Sequence, residues 1–258
     1  MEKWVLYEKK SNKAYITLNR PEAMNSMTTS GFKQLAEAFK EAGKDEEVRV
    51  IILTGTGEQA FCSGADLKET IPTLTEGKVN PNLLDDVVLK HTPLWKPIIA
   101  AVNGHCLAGG MEILQATDIR IAAEHATFGL PEPKWSIVAA AGSLVRLIRQ
   151  IPYCRAMEIL LTGESITAKE ALDIGLINKI VPSSQLLEEA ETYAEKICRN
   201  GPIAVQATKE AVVRLQSLPM ELAFQEEWTY AEKAFMSEDA KEGLKAFAER
   251  RTPHFVGR

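Results

Sequence analysis

The sequence has few aromatic residues, few cysteines and no excess of positive charge, and each shortage excludes a class of protein. Aromatic residues make up 7% of the 258 positions, whereas 45% are hydrophobic and 25% are charged. These ordinary proportions exclude disordered, collagen-like and disulfide-scaffold chains. The length is sufficient for a sizeable core and allows one large domain or a domain with an appendage.

The charge balance argues against a protein that binds nucleic acid through a basic surface. The chain has 30 lysines and arginines against 35 acidic residues, which gives a net charge of −5. Nucleic-acid binders neutralise phosphates with clustered basic side chains. The strongest basic cluster, at Arg250 and Arg251, is too short for that role and is interpreted as a solvated helix end.

The sequence also has no long apolar run and no paired-cysteine motif. The longest apolar run without a charge covers residues 97–111, short of the roughly 18 residues that a membrane span needs. The first residues lead directly into structured sequence, so no signal peptide is expected. Four cysteines without C-x-x-C spacing indicate reduced thiols and predict a cytoplasmic location.

Hydrophobic patterning predicts an α/β core over residues 1–200 and a helical region over residues 201–258. Alternating residues at 4–7 and 14–18 predict a hairpin. Apolar spacing after Thr28 predicts a helix, and Thr167 with Glu170 forms a capping-box pattern. Further strands are predicted at 48–53, 97–102, 119–122 and 177–181, and helices at about 184–199, 202–216, 219–235 and 238–250. Residues 70–93 predict an irregular segment beside the site.

Two local patterns that suggest chemistry do not hold up. Residues 55–60 fit G-x-G-x-x-A after a strand, but no helix start follows and no acidic second strand end lies about 20 residues further on. A nucleotide site is therefore not expected. Cys106, beside His105, is interpreted as a small buried residue, because adjacent side chains rarely face each other.

Two segments carry features that suit catalysis. A helix is predicted to begin near Gly109 without a Ser, Asp or Asn to cap it, so its first N–H groups are open to a ligand oxygen. Glu112 lies in its first turn, where a favourable interaction with the helix dipole is an equally good explanation. Glu132 lies between Pro131 and Pro133, which are predicted to hold it extended and rigid, as a general acid or base requires. An ordinary loop glutamate is the alternative.

These segments belong to a linked series of motifs that resembles the crotonase (enoyl-CoA hydratase/isomerase) superfamily, with the closest likeness to enoyl-CoA hydratases. The likeness extends from about residue 12 to the C-terminus. The matching motifs are at residues 50–55, 60–67, 101–104, 108–112, 118–120, 128–132 and 161–163. The resemblance implies an α/β spiral of ββα units, a C-terminal helical region that mediates trimer formation, and acyl-CoA substrates.

The resemblance also implies roles for individual residues. The backbone N–H groups of Ala65 and Gly109 would form the oxyanion hole for the thioester oxygen. Glu112 would activate water as the base, and Glu132 would supply the proton as the acid. Contacts with CoA would come, largely through the backbone, from Ala23, Cys62, Asp66, Leu67 and Pro131. Lys68, Lys245, Arg250 and Arg251 are the candidates for the phosphates, including across a subunit boundary.

The implied reaction is the reversible hydration of a trans-2-enoyl-CoA in fatty-acid or amino-acid degradation. It needs no metal or redox cofactor, because coenzyme A is part of the substrate, and the implied assembly is a homotrimer or homohexamer. Two alternatives remain: a Δ3-Δ2 isomerase or specialised dehydratase, and a non-catalytic acyl-CoA-binding or RNA-associated relative. Ala108 in place of a common glycine, and the absence of Pro-Gly from 136–142, leave the acyl group open.

Overall fold

Ten strands and ten helices alternate along the part of the chain that the computed structural model describes, residues 2–78 and 84–258. The strands are β1 (Val5–Lys10), β2 (Lys13–Leu18), β3 (Val50–Gly55), β4 (Ala60–Cys62), β5 (Ile98–Val102), β6 (His105–Leu107), β7 (Ile119–Ala123), β8 (Thr127–Gly129), β9 (Ser165–Thr167) and β10 (Lys179–Val181). The helices are α1 (Thr29–Lys44), α2 (Thr70–Thr75), α3 (Gly109–Gln115), α4 (Ser143–Gln150), α5 (Tyr153–Thr162), α6 (Ala168–Asp173), α7 (Leu186–Cys198), α8 (Pro202–Leu215), α9 (Met220–Phe235) and α10 (Glu238–Glu249).

The strands form two sheets that the chain visits in turn. The larger sheet has the order β1-β2-β3-β5-β7-β10, and the smaller has the order β4-β6-β8-β9. Only the β1–β2 hairpin and the β8–β9 pair are antiparallel among these described strands. Each of β3, β5 and β7 is followed by a three-residue strand of the smaller sheet and then by a helix. This repeat confirms the predicted α/β spiral of ββα units.

Both faces of the larger sheet are buried, as the continuous apolar runs predict. Ile51 and Leu53 of β3 pack into the main core, while Val50 and Ile52 face the second cluster, which includes Ala190 of α7. All four β3 side chains are fully buried. Strand β3 is therefore fixed from both sides, and the turn at its end has a defined position.

Most helix ends follow the local sequence signals. Thr28 accepts a hydrogen bond from the Gly31 N–H at 3.0 Å and caps α1. Thr167 and Glu170 form the predicted capping box at the start of α6. The four predicted C-terminal helices match α7 to α10 within about three residues. The division at residue 200 stays a prediction.

Two expectations from the sequence differ from the structure. The segment predicted to be irregular contains the short helix α2, and its residues 79–83 lie outside the described ranges. The short strands of the smaller sheet were not predicted, because three residues are too few to show a period-2 pattern. The turn at 55–60 leads into β4 rather than into a helix, in agreement with the rejection of a nucleotide motif. Among the described residues, the helices lack the length and apolar character of a membrane span.

Helix α3 lies unusually close to the end of β4. A Cβ atom placed on Gly110 would lie 2.2 Å from the Cys62 carbonyl oxygen and 2.8 Å from the Cys62 Cβ. Neighbouring Gly109 has more room, since its Cβ would lie 3.5 Å from the nearest atom. Gly110 therefore fixes the distance between the helix and the strand end.

We expect Gly110→Ala to destabilise the protein by about 2 to 3 kcal/mol, because the added methyl group overlaps a backbone atom that cannot rotate away. Gly109→Ala is the matched control and should fold with near-normal stability. Urea unfolding at equal protomer concentration measures both. Equal stability of the two variants would contradict the close approach.

Candidate active site

A cavity of about 600 Å³ opens where α3, the loop after β4 and the residues after β8 meet. Six of the nine predicted site residues contribute to its wall: Ala65, Leu67, Gly109, Glu112, Pro131 and Glu132. Most of the other wall is apolar, including Phe32, Ile71, Ile137 and Val138. The two glutamates that the sequence singled out, 20 positions apart in the chain, therefore share one largely apolar cavity.

Glu112 is held by the backbone of the segment that leads into α4. Its side chain is buried, with 4% of the residue exposed, and its Oε1 accepts a hydrogen bond from the Ser143 N–H at 3.2 Å. Burial raises the pKa of Glu112 to about 7, and the charge of Glu132 adds to this effect. The Ser143 and Ala141 amides and the Lys90 ammonium act in the opposite direction. The group can therefore change its charge near neutral pH.

Glu132 begins a 3-10 helix (Glu132–Trp135) and is not extended, so that sequence prediction is wrong. Pro131 and Pro133 lack the N–H groups that the first helical positions leave unpaired, so both prolines fit the start of a helix. Glu132 is 6% exposed, and its Oε2 has no hydrogen-bond partner among the described residues. Burial raises the pKa of Glu132, which favours its neutral form.

The N–H groups of Ala65 and Gly109 lie on adjoining segments of the cavity wall. A Cβ atom on Gly109 would lie 3.6 Å from the Ala65 nitrogen, and one on Gly64 would lie 3.0 Å from the Gly109 nitrogen. Gly64 has a φ of +100°, which brings the two backbones together without a side chain between them. Helix α3 begins at Gly109 with no side-chain cap from the described residues, as predicted.

The remaining predicted CoA-binding residues lie outside the cavity wall. Cys62 is fully buried, and burial raises the pKa of its thiol to about 12. Burial also opposes ionisation of Asp66, yet its pKa is lowered because Arg20 and the Lys68 and Glu69 amides bind the carboxylate. Ala23 ends a short 3-10 helix and is half-buried. For these three residues, contact with a ligand stays a prediction.

The structure adds residues that sequence reasoning missed. Lys90 and Asp85 line the cavity as an ion pair, with Lys90 Nζ 2.6 Å from Asp85 Oδ1. Ser143 supplies an amide to Glu112 although it lies 31 positions away. No local pattern points to these residues, because their roles depend on long-range packing. The glycine at 142, before a helical apolar pattern, was the available signal for the start of α4.

Comparison with known proteins identifies the family to which this fold belongs. The model of the enoyl-CoA hydratase/isomerase family matches residues 8–258. The chain belongs to this family, which confirms the resemblance to the crotonase superfamily.

Individual relatives match along nearly the whole chain. The chain is 43% identical to enoyl-CoA hydratase EchA19 of Mycobacterium tuberculosis over 98% of its own length and 96% of that protein. It is 44% identical to (E)-benzylidenesuccinyl-CoA hydratase of Thauera aromatica, over 98% and 99% of the two chains. The crystal structure of an enoyl-CoA hydratase from Bacillus anthracis superimposes with a TM-score of 0.91 at 37% identity, over 99% of this chain and all of that one.

The raised pKa of Glu112 predicts that the ionised carboxylate destabilises the fold. A carboxyl group that titrates at about 7 when folded and at about 4.5 when unfolded lowers stability progressively as the pH rises between those values. We expect the loss to reach roughly 3 kcal/mol, and Glu112→Gln should remove it. The gain in free energy of unfolding of Glu112→Gln over the wild type should therefore be larger at about pH 8 than at about pH 4.5.

Glu170→Gln is the matched control with the opposite sign. The Thr167 N–H and hydroxyl bind the Glu170 carboxylate and lower its pKa, so its contribution to stability is present above the unfolded pKa and lost at acid pH. Glu170→Gln should therefore be less stable than the wild type at neutral pH and nearly as stable as the wild type at acid pH. Urea unfolding at fixed protomer concentration measures both. A Glu112→Gln effect that does not change with pH would contradict the assignment.

Proposed function

We propose that this protein hydrates a trans-2-enoyl-CoA thioester to the 3-hydroxyacyl-CoA in a reversible reaction. The observation that carries the proposal is the pair of buried glutamates, Glu112 and Glu132, in one apolar cavity beside the Ala65 and Gly109 amides. Hydration needs a base for water, an acid for C2 and a site for negative charge on the thioester oxygen. The cavity contains a group suited to each requirement.

The different surroundings of the two carboxyl groups support distinct roles. The amides that bind Glu112 favour its ionised form, so Glu112 takes a proton from water as the oxygen attacks C3. Glu132 has an unpartnered oxygen among the described residues, and burial raises its pKa, which favours the neutral form, so we assign Glu132 as the acid that donates the proton to C2. The Ala65 and Gly109 N–H groups stabilise the enolate oxygen between these steps.

Coenzyme A enters as part of the substrate, and we propose no further cofactor. Exposed Leu67 lies at the cavity wall beside exposed Lys68, which suits the entry of the pantetheine and phosphate portions. Arg251 is a weaker candidate for the phosphates, because Glu242 binds its guanidinium at 2.6 and 2.8 Å. The cytoplasmic location also stays a proposal, drawn from the cysteine pattern.

We expect Glu112→Gln and Glu132→Gln each to lower kcat for hydration of a short 2-enoyl-CoA by about 10³-fold, because each removes one partner of the proton transfer. The rate is measured as the loss of absorbance of the double bond conjugated with the thioester. Glu164→Gln is the control, since Glu164 is exposed and pairs only with Lys134 at 2.8 Å among the described residues. It should retain activity within a factor of about two.

The alternatives give different outcomes in the same assays. A wild type that is inert with short, branched and aromatic enoyl-CoAs, yet binds CoA, would support a non-catalytic relative. Conversion of a 3-enoyl-CoA without incorporation of isotope-labelled water would support an isomerase. The presence of both glutamates favours water chemistry over the single-carboxylate arrangement expected of an isomerase.

We further propose a homotrimer or a dimer of trimers that associates through the helical region. Large apolar side chains are exposed there, including Phe224 at 68%, Trp228 at 56% and Phe247 at 85%. Exposed apolar clusters of this kind are typical of interaction surfaces. Light scattering should give a mass three or six times that of the 28.5 kDa chain. A monomeric mass at micromolar concentration would contradict the proposal.

A further inference from the structure

Two side chains one helical turn apart on α3 hold the same residue of α4. Glu112 accepts a hydrogen bond from the Ser143 N–H at 3.2 Å, and Gln115 Nε2 donates to the Ser143 hydroxyl at 2.7 Å. Gln115 is 2% exposed and Ser143 is fully buried. Residues three positions apart share a helix face, so Glu112 and Gln115 can hydrogen-bond the backbone and the side chain of Ser143 at the same time.

The first turn of helix α4 is also held by Arg146, whose guanidinium donates to the Val88 and Leu89 carbonyls, but the N–H of Ser143 depends on Glu112. The helix starts after Gly142, which has a φ of +133° and provides no side-chain cap. The orphan N–H of Ser143 is therefore satisfied by the catalytic candidate Glu112 itself. This hydrogen bond occupies the Oε1 atom of the Glu112 carboxylate.

The Gln115–Ser143 pair is poorly explained as a stabilising feature alone. The net gain from a buried neutral hydrogen bond is small, and the Gln115 Oε1 atom has no partner among the described residues. Helices α3 and α4 are also joined elsewhere, since Gln150 Nε2 donates to the Gln115 carbonyl at 2.9 Å. Apolar side chains of similar size would fill the same space without an unpartnered atom.

We propose that Gln115 and Ser143 are positioning residues, which hold the Ser143 amide against Glu112 and so orient this base toward the water that adds to the enoyl-CoA. This inference rests on the proposed hydratase function. The groups that act on Glu112 from the neighbouring elements are Glu132, Lys90 and Arg146. None of these three side chains is hydrogen-bonded to the Glu112 carboxylate among the described contacts, and the Ala141 amide is the other backbone group that favours its ionised form.

Loss of the pair should move the titration of the base. The Ser143 amide favours the ionised carboxylate, so a displaced amide raises the pKa of Glu112. Since the base acts when ionised, the acidic limb of the kcat/KM profile should shift upward by about half to one pH unit. Misplacement of the base should also lower kcat by about 10-fold to 100-fold, with KM nearly unchanged.

The experiment compares Gln115→Met, Ser143→Ala and the double variant. Each single change leaves a buried polar group unpaired and should lower Tm, whereas the double change removes both partners and should restore most of the Tm. We expect the double variant to keep the reduced kcat and the upward shift of the acidic limb of the kcat/KM profile. If kcat and the limb recover together with Tm, the pair has only a structural role and the proposal is wrong.

Gln150→Met is the control, because it removes another hydrogen bond between α3 and α4, made by an exposed side chain, without touching Ser143. It should lower Tm and leave the acidic limb in place. Carbon-13 NMR of the glutamate carboxyl groups, with Glu112→Gln for assignment, measures the Glu112 titration without turnover. An unchanged titration in the double variant would overturn the proposal even if the wild type were inactive, and that inactivity would separately refute the hydratase function.

Discussion

The close approach of α3 to the end of β4 is the constraint on which the site depends. Gly110 meets the Cys62 carbonyl with no space for a side chain, and this contact brings the start of the helix to the loop after the strand. Ala65 and Gly109 become neighbours as a result, and Glu112 enters the cavity one turn into the same helix. Backbone geometry, rather than any single side chain, therefore sets the distance between the amides and the carboxyl group.

The sequence predicted the parts of this arrangement that local patterns determine. The helix start at Gly109 follows from the preceding strand, two glycines and the lack of a capping side chain. The conformation at Glu132 could not be predicted in the same way, because prolines on both sides favour an extended backbone and a helix start almost equally. Which of these forms depends on packing that the local sequence does not encode.

Long-range contacts account for the rest of what the sequence did not reveal. The strands of the smaller sheet have three residues each and are defined by pairing with residues distant in the sequence, such as Cys62 with Cys106, 44 positions later. Ser143 meets Glu112 only because α3 and α4 pack together. Motif resemblance identified the glutamates, but it carried no information about the groups that bind them or about the burial that raises their pKa values.

Ala108 shows how the surroundings enforce a conformation that the residue itself disfavours. Its φ of 49° and ψ of −127° lie in a region that side chains rarely adopt, at a cost of about 1 to 3 kcal/mol. Its N–H donates to the Gly129 carbonyl at 2.9 Å and its carbonyl accepts from the Glu112 N–H at 3.1 Å, so strand β8 and helix α3 hold it from both sides.

The methyl group of Ala108 also explains a requirement elsewhere in the cavity. A Cβ atom on Gly64 would lie 2.7 Å from the Ala108 Cβ, so the alanine makes a glycine necessary on the facing segment. The same methyl group lines the cavity beside the Gly109 amide. A strained alanine in place of a glycine thus narrows the cavity next to the Gly109 amide.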